Sequence, residues 1–144
     1  MTRILSYNIL AGGRRRVDQL TKIISSTRPD IVGLVEANNL QVIEELAEQL
    51  GMQYRMNTNP TQEKDWQTAI LSRLPILETR SHFLSGILSK PLLEACVEEA
   101  DGRKLTVFVT HLAAAFNQRR VGDGIRCREL QEILHIMALS LIHI

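Results

Sequence analysis

The sequence predicts a mixed α/β fold, of the α/β or α+β class, within a single domain. Residues 4–50 alternate between short apolar runs typical of strands and amphipathic segments typical of helices. Residues 53–112 contain only strand-like runs separated by turns, which favours antiparallel sheet. A final segment again has helical spacing of its apolar residues. The length of 144 residues suits one domain with a core of its own.

The chain begins with a predicted strand and a predicted helix. Ile4 to Leu10 is a short apolar run that ends at Gly12-Gly13, and glycine pairs usually mark turns. From Val17 onward, apolar residues recur at helical spacing. This helix should end before Arg28-Pro29, because a residue that precedes proline avoids the helical conformation.

A second strand and a second helix follow. Residues 30–37 are nearly all apolar, which is typical of a central strand covered on both faces, and Glu36 closes this run. Asn38 or Asn39 is a suitable N-cap for the next helix. Gly51 is a suitable C-terminal residue, since glycine readily adopts the left-handed conformation.

The middle of the chain is predicted to be antiparallel. Its clearest turn is Asp101-Gly102, because Asp-Gly between two apolar runs is a strong hairpin signal. A polar loop is expected over residues 57–67. The predicted strands cover residues 53–56, 68–73, 76–83, 92–99 and 104–112.

The C-terminal part of the sequence predicts a loop, a helix and a foreign tail. Residues 113–124 are interpreted as the loop, and apolar residues between Leu130 and Met137 predict the helix. The last six residues match the translated end of a transposon adaptor used in sequencing libraries. We therefore expect residues 139–144 to be adaptor read-through and the domain to cover residues 1–138.

Composition excludes several classes of function. Seventeen basic and sixteen acidic residues give a net charge of +1, so the chain lacks a strongly basic coat for nucleic acid. Aromatic residues are 4%, which disfavours a base-stacking platform. Two cysteines provide neither a disulfide framework nor zinc-binding spacing. No apolar run has the length of a signal peptide or a spanning helix, so we expect no membrane span and a cytoplasmic location, which a missing upstream leader would reverse. No protein partner is predicted.

Polar side chains stand at three predicted strand ends. Asn8 and Glu36 would supply an amide and a carboxylate oxygen, which suit Mg²⁺. The alternative is that both only cap the turns and helices that follow them. His111 would contact or protonate a phosphate oxygen, or else be a half-buried structural histidine.

Basic residues elsewhere carry weaker signals. Arg14-Arg15-Arg16 could meet phosphate, although a short charged run is usually a solvated loop. Arg128 and Gln131 lie one helical turn apart and could face the same cleft. No glycine-rich phosphate loop and no G-x-S-x-G nucleophile motif occurs in the sequence.

Taken together, four segments resemble the endonuclease/exonuclease/phosphatase superfamily of metal-dependent phosphoesterases. They occur in the family's order with plausible gaps, and Arg128-x-x-Gln131 resembles the helix that follows them. The resemblance covers most of residues 3–138. The segments are residues 4–9 (I-L-S-Y-N-I), 28–36 (R-P-D-I-V-G-L-V-E), 68–76 (T-A-I-L-S-R-L-P-I) and 107–112 (V-F-V-T-H-L).

The resemblance implies a four-layer α/β/β/α sandwich and hydrolysis of a phosphodiester or phosphomonoester. Glu36 and Asn8 would hold Mg²⁺, with Mn²⁺ as a possible substitute. His111 would act at the scissile phosphate, and Arg128 and Gln131 would contribute to substrate binding. Nucleic acids, lipid head groups and sugar phosphates all remain open as substrates.

Two motifs of the family are absent from this sequence. G-D-x-N and S-D-H, which supply the remaining catalytic Asp, Asn and His residues, do not occur. We therefore expect the chain to be the N-terminal half of a larger enzyme, with about one of the two sheets encoded. An uncovered sheet face would make such a piece unstable and inactive.

Two alternatives stay open. The chain could be a non-catalytic binding or assembly module on the same scaffold, which a natural stop after Met137 would favour. It could also be an unrelated α/β nucleotide-binding domain, which the missing phosphate loop disfavours.

Overall fold

A computed structural model describes the chain at residues 1–56, 67–83, 86–88, 90–113 and 119–142. The predicted polar loop over residues 57–67 lies outside the described residues except for its last one. Within the described ranges, the chain forms two β-sheets and three α-helices. None of these helices is long and apolar enough to cross a membrane.

The first sheet has four strands in the order β1-β2-β4-β3. Strand β1 runs parallel to β2, and the other two pairs are antiparallel. All but the last residue of β2 are buried, as predicted for a central strand. The strands are β1 (Ile4–Asn8), β2 (Ile31–Val35), β3 (Gln53–Met56) and β4 (Thr68–Ser72).

Two helices cover the outer face of this sheet. They are α1 (Val17–Thr27) and α2 (Leu40–Leu50), and both predicted helices are confirmed. Asn39 caps α2 by accepting a hydrogen bond from a main-chain N–H in its first turn, and Gly51 ends it in the left-handed conformation. Apolar side chains from both helices pack with Val32, Leu34 and other side chains of the sheet in one buried cluster.

The second sheet is antiparallel and carries the last helix on its outer face. Its strands are β5 (Ile76–His82), β6 (Leu92–Glu98) and β7 (Lys104–Val109), in that order. The Asp101-Gly102 turn joins β6 to β7, which confirms the predicted hairpin. Helix α3 (Arg119–Ile142) packs Ile133 and Ile136 against Leu92.

The two sheets pack face to face, which completes the predicted four-layer α/β/β/α sandwich. Ile70 of the first sheet lies in one buried cluster with Leu93 and Val107 of the second. The expectation that only about one sheet is encoded is therefore wrong. The second sheet covers the inner face of the first sheet at β2 and β4, whereas Ile4, Ser6 and Asn8 of β1 remain exposed.

Helix α3 begins earlier than predicted. Residues 113–124 were expected to be a loop, whereas the helix begins at Arg119 and includes Gly124. Buried side chains at 129, 133, 136 and 140 follow helical spacing, so packing against the second sheet outweighs the low helix propensity of glycine. The domain boundary at residue 138 stays a prediction.

Gly124 and Gly102 provide a matched pair of glycine substitutions. A Cβ atom at either position would meet no atom within 4 Å, but Gly102 has a φ of +82°. Gly124→Ala should therefore raise the free energy of unfolding by up to about 1 kcal/mol. Gly102→Ala should lower it by about 1–2 kcal/mol, because alanine is strained in that conformation. Urea unfolding measures both, and equal effects of the two substitutions would contradict the position of α3.

Candidate functional site

The carboxyl ends of β1 and β2 bring Asn8 and Glu36 together. The two strands are parallel and pair Asn8 with Val35, the residue before Glu36. The amide Nδ2 of Asn8 donates a hydrogen bond to Oε1 of Glu36 at 2.9 Å. The main-chain N–H of Ala11 donates to Oε2 at 2.8 Å. Each carboxylate oxygen therefore accepts one hydrogen bond and keeps lone pairs for a further ligand.

The turn after β1 is built around these two side chains. The N–H of Leu10 donates to Oδ1 of Asn8 at 2.8 Å, and the N–H of Gly12 donates to the main-chain oxygen of Glu36 at 2.9 Å. Leu10, Ala11 and Glu36 all have a φ between +50° and +58°. Non-glycine residues rarely adopt this conformation, and such strain concentrates at functional sites.

The hydrogen bonds keep Glu36 ionised. The Ala11 N–H has the largest effect, followed by the Asn8 amide, and both lower the pKa of the Glu36 carboxyl below its ordinary value. Partial burial opposes this shift, while His111 and Lys90 reinforce it. The carboxylate is therefore charged at neutral pH, as a ligand for a cation must be.

This lowered pKa predicts a specific dependence of stability on pH. A carboxyl whose pKa is lower in the folded chain contributes stability above its unfolded pKa and loses it as the pH falls through the folded value. When the pH is lowered below the ordinary glutamate range, the urea midpoint of the native chain should therefore fall by more than the urea midpoint of Glu36→Gln. Parallel curves for the two proteins across that window would show that the hydrogen bonds do not favour the charged form.

His111 follows β7 and lies on the same side of the molecule as Glu36. Burial has the largest effect on the pKa of His111 and lowers it, Lys90 lowers it further, and the negative charges of Glu36 and Glu129 oppose this. The net pKa of His111 is below its ordinary value, so the imidazole is mainly neutral at pH 7. The hydroxyl of Thr110 donates to the main-chain oxygen of Pro91 at 3.2 Å and ties this segment to the start of β6.

Sequence reasoning missed two charged residues beside His111. Lys90 is 8% exposed, and its Nζ donates to the main-chain oxygen of Leu112 at 3.4 Å. Glu129 is 2% exposed and accepts a hydrogen bond from the N–H of Ala113 at 2.9 Å. Burial lowers the pKa of Lys90, and the charges of Glu129 and Glu36 oppose this. For Glu129 a signal existed, because it lies on the apolar stripe of α3.

The predicted substrate residues of α3 have a different setting. Arg128 and Gln131 are both exposed on α3, away from the face that carries its buried side chains. Their predicted contribution to substrate binding stays a prediction. The other predicted residues, Asn8, Glu36 and His111, lie around one site, and their chemical roles also stay predictions.

A divalent cation bound at the ends of β1 and β2 would have one carboxylate ligand, that of Glu36. Among the described residues, no group of three or more His, Cys, Asp and Glu side chains is arranged to hold a metal. A single carboxylate with a neighbouring amide oxygen nevertheless fits Mg²⁺, which keeps several waters and needs only one or two carboxylates. The open lone pairs of Glu36 are consistent with this donor set.

Several solved structures share this fold. TDP2 from Danio rerio, complexed with a single-strand DNA product, has a TM-score of 0.74 at 22% identity, over 95% of this chain and 54% of its own. An AP endonuclease from Archaeoglobus fulgidus has a TM-score of 0.68 at 17% identity, over 94% of this chain and 50% of its own. A mannosyl-6-phosphatase from Bacteroides thetaiotaomicron has a TM-score of 0.68 at 18% identity, over 93% and 60%.

The chain spans between half and three fifths of the length of these three structures. No curated protein matches the sequence. The family model described as "Endonuclease/Exonuclease/phosphatase family" matches residues 5–134. That range includes Asn8, Glu36 and His111 and nearly the whole sandwich. The chain therefore belongs to the endonuclease/exonuclease/phosphatase family.

Proposed function

We propose that this chain provides the Mg²⁺ and phosphate site of a phosphoesterase that hydrolyses a phosphodiester or phosphomonoester. The observation that carries the proposal is the hydrogen-bonded pair of Asn8 and Glu36 at the end of two parallel strands. His111 and Lys90 lie close enough to affect the charge of Glu36. The first sheet supplies one carboxylate and one amide, and the second sheet supplies one imidazole and one cation. This set of groups suits binding of a metal-phosphate complex.

Glu36 and Asn8 are the residues that would hold the cation. The Glu36 carboxylate is ionised and oriented by two donors, so it needs no rearrangement to become a ligand. Oδ1 of Asn8 accepts one hydrogen bond from Leu10 and retains a second lone pair. When bound, Mg²⁺ (or Mn²⁺) would neutralise charge that develops on a phosphoryl oxygen.

His111 and Lys90 are the residues that would contact the phosphate. A neutral imidazole donates a hydrogen bond to a phosphate oxygen without adding charge, which matches the lowered pKa of His111. Lys90 would supply the positive charge, and its burial strengthens an electrostatic interaction that water would otherwise screen.

The substrate class is a phosphate ester, and turnover requires groups beyond these four. The DNA product bound to TDP2 and the sugar phosphate named for the phosphatase suggest nucleic acids and sugar phosphates. Lipid head groups have the same phosphate chemistry. The sequence contains neither G-D-x-N nor S-D-H, so we propose that this chain binds the metal and the phosphate without hydrolysing the ester.

Paramagnetic Mn²⁺ tests this proposal on the chain itself. In a ¹H–¹⁵N spectrum, Mn²⁺ should first broaden the amide signals of Leu10, Ala11 and Gly12, and excess Mg²⁺ should restore them. Inorganic phosphate should then shift the imidazole signals of His111 only when Mg²⁺ is present. Uniform broadening, or broadening that begins elsewhere, would refute the metal site. A His111 shift that needs no Mg²⁺ would refute the joint metal-phosphate site.

A further inference from the structure

We propose that Arg16 is a positioning residue, which holds the main chain of residues 9–11 so that its N–H groups orient Asn8 and Glu36 for a cation. This inference rests on the proposed function, because it assigns a role in forming the same metal site. Arg16 lies in the basic run at 14–16, whose sequence favours a solvated loop and could also meet phosphate.

The guanidinium of Arg16 contacts the turn directly. Its Nη2 donates to the main-chain oxygen of Ile9 at 2.7 Å and to that of Leu10 at 2.5 Å. Hydrogen bonds from a charged donor are stronger than those between neutral groups. One planar group therefore fixes two consecutive carbonyls of the segment that joins β1 to the turn.

The backbone of Arg16 is itself fixed. Its N–H donates to the oxygen of Gly13 at 3.1 Å, and its own oxygen accepts from the N–H of Leu20 at 2.9 Å. Leu20 is buried between α1 and the first sheet. The guanidinium thus connects the start of a packed helix to the turn that follows β1.

The turn needs such a restraint because its conformation is unfavourable. Leu10 has a φ of 52° and Ala11 a φ of 50°, and neither is glycine. The peptide groups held in this way provide the N–H that reaches Oδ1 of Asn8 and the N–H that reaches Oε2 of Glu36. Relaxation of either residue to a negative φ would turn its peptide group and remove a donor from the site.

The direction in which cation affinity changes on loss of Arg16 distinguishes a positioning role from a purely electrostatic one. Removal of a positive charge near a cation site should strengthen cation binding by charge alone. If Arg16 positions the turn, its loss should instead weaken binding, by about 10–100-fold, the range found when residues that orient metal ligands are replaced. Arg14→Met is the matched control, because it removes the same charge from an exposed position of the same loop.

The experiment compares native chain, Arg16→Met, Arg16→Lys and Arg14→Met by Mn²⁺ titration and by amide hydrogen exchange. We expect weaker Mn²⁺ binding and faster exchange at Leu10 and Ala11 in Arg16→Met, with exchange in β2 and β4 unchanged. Arg16→Lys should retain part of the Mn²⁺ affinity and part of the protection from exchange, since an ammonium can still donate to the carbonyls of Ile9 and Leu10. Arg14→Met should bind Mn²⁺ at least as tightly as the native chain.

The outcomes separate the two proposals. Native-like Mn²⁺ binding and native-like exchange in Arg16→Met would overturn the role of Arg16 and leave the proposed function intact. A native chain that does not bind Mn²⁺ near Glu36 would overturn both. Faster exchange throughout β2 and β4 in Arg16→Met would show a general structural role and would also overturn the positioning role.

Discussion

Glu36→Gln should weaken Mn²⁺ binding at the ends of β1 and β2 by more than about 100-fold. This exceeds the loss of affinity expected when a residue that only orients a metal ligand is replaced. Two donors, the Ala11 N–H and the Asn8 amide, point at the two oxygens of this side chain. Glutamine offers one oxygen and one NH₂ group, so one of the two donors would face another donor. The substitution therefore removes the charged ligand and also disturbs the pair that holds it.

Glu48→Gln provides the matched control for this measurement. Glu48 is exposed on α2, so its replacement removes the same charge without touching the site. Broadening of the Ala11 signal by Mn²⁺ should be lost in Glu36→Gln and retained in Glu48→Gln. Equal loss in both variants would mean that Mn²⁺ responds to the net charge of the surface, and the assignment of Glu36 as a metal ligand would be wrong.

The same substitution has a consequence for catalysis. In a phosphoesterase that combines this chain with the G-D-x-N and S-D-H motifs, Glu36→Gln should lower the rate of Mg²⁺-dependent hydrolysis at least about 100-fold, because electrostatic stabilisation of this kind is worth ~3–4 kcal/mol. Hydrolysis of a simple phosphodiester measures this. Nearly unchanged Mg²⁺-dependent turnover would contradict the proposed function.

Local patterns were sufficient to predict the elements around the candidate site. The apolar run that Glu36 closes forms a buried central strand, and Asn39 and Gly51 bound α2 as their conformational preferences predict. Proximity of Asn8 to Glu36 follows from one rule, that parallel neighbouring strands end at the same edge of a sheet. Each of these elements is determined by the residues of one short segment, so the local sequence is sufficient to predict it.

The parts that sequence reasoning missed depend on contacts between distant segments. Lys90 precedes a strand and looks like an ordinary surface residue, yet it is buried beside Leu112 because β6 and β7 pair. The left-handed backbone of Leu10, Ala11 and Glu36 has no local signature, because neither leucine, alanine nor glutamate favours it. Tertiary hydrogen bonds stabilise this conformation.

The second sheet was missed for a related reason. Alternation of apolar residues identifies a strand but does not tell which sheet the strand joins. The sequence predicts antiparallel strands at residues 76–83, 92–99 and 104–112, and nothing in their spacing shows that they cover β2 and β4. Gly33 is informative in retrospect, because a Cβ atom there would lie 2.9 Å from Cγ2 of Val109 in the opposite sheet.

Ile70→Ala should lower the free energy of unfolding by about 2–5 kcal/mol, since it would leave a cavity between the two sheets. Ile70 is fully buried in β4 and shares a cluster with Leu93 and Val107 of the second sheet. Leu77→Ala, at a β5 position that is 50% exposed, is the control and should change the free energy of unfolding by only about 0.5 kcal/mol. Urea unfolding compares the two, and similar small effects would mean that the sheets are not packed together.

A double-mutant cycle tests the packing of the two sheets at a single contact, between Gly33 of β2 and Val109 of β7. Gly33→Ala alone should cost about 1–3 kcal/mol, because its methyl group would overlap the side chain of Val109. In a Val109→Ala background the overlap disappears, so Gly33→Ala should then cost less. Residues in contact show such coupling, whereas distant residues have additive effects. Additive effects of these two substitutions would mean that β2 and β7 are not in contact at these positions. That result would contradict the four-layer arrangement that holds His111 near Glu36.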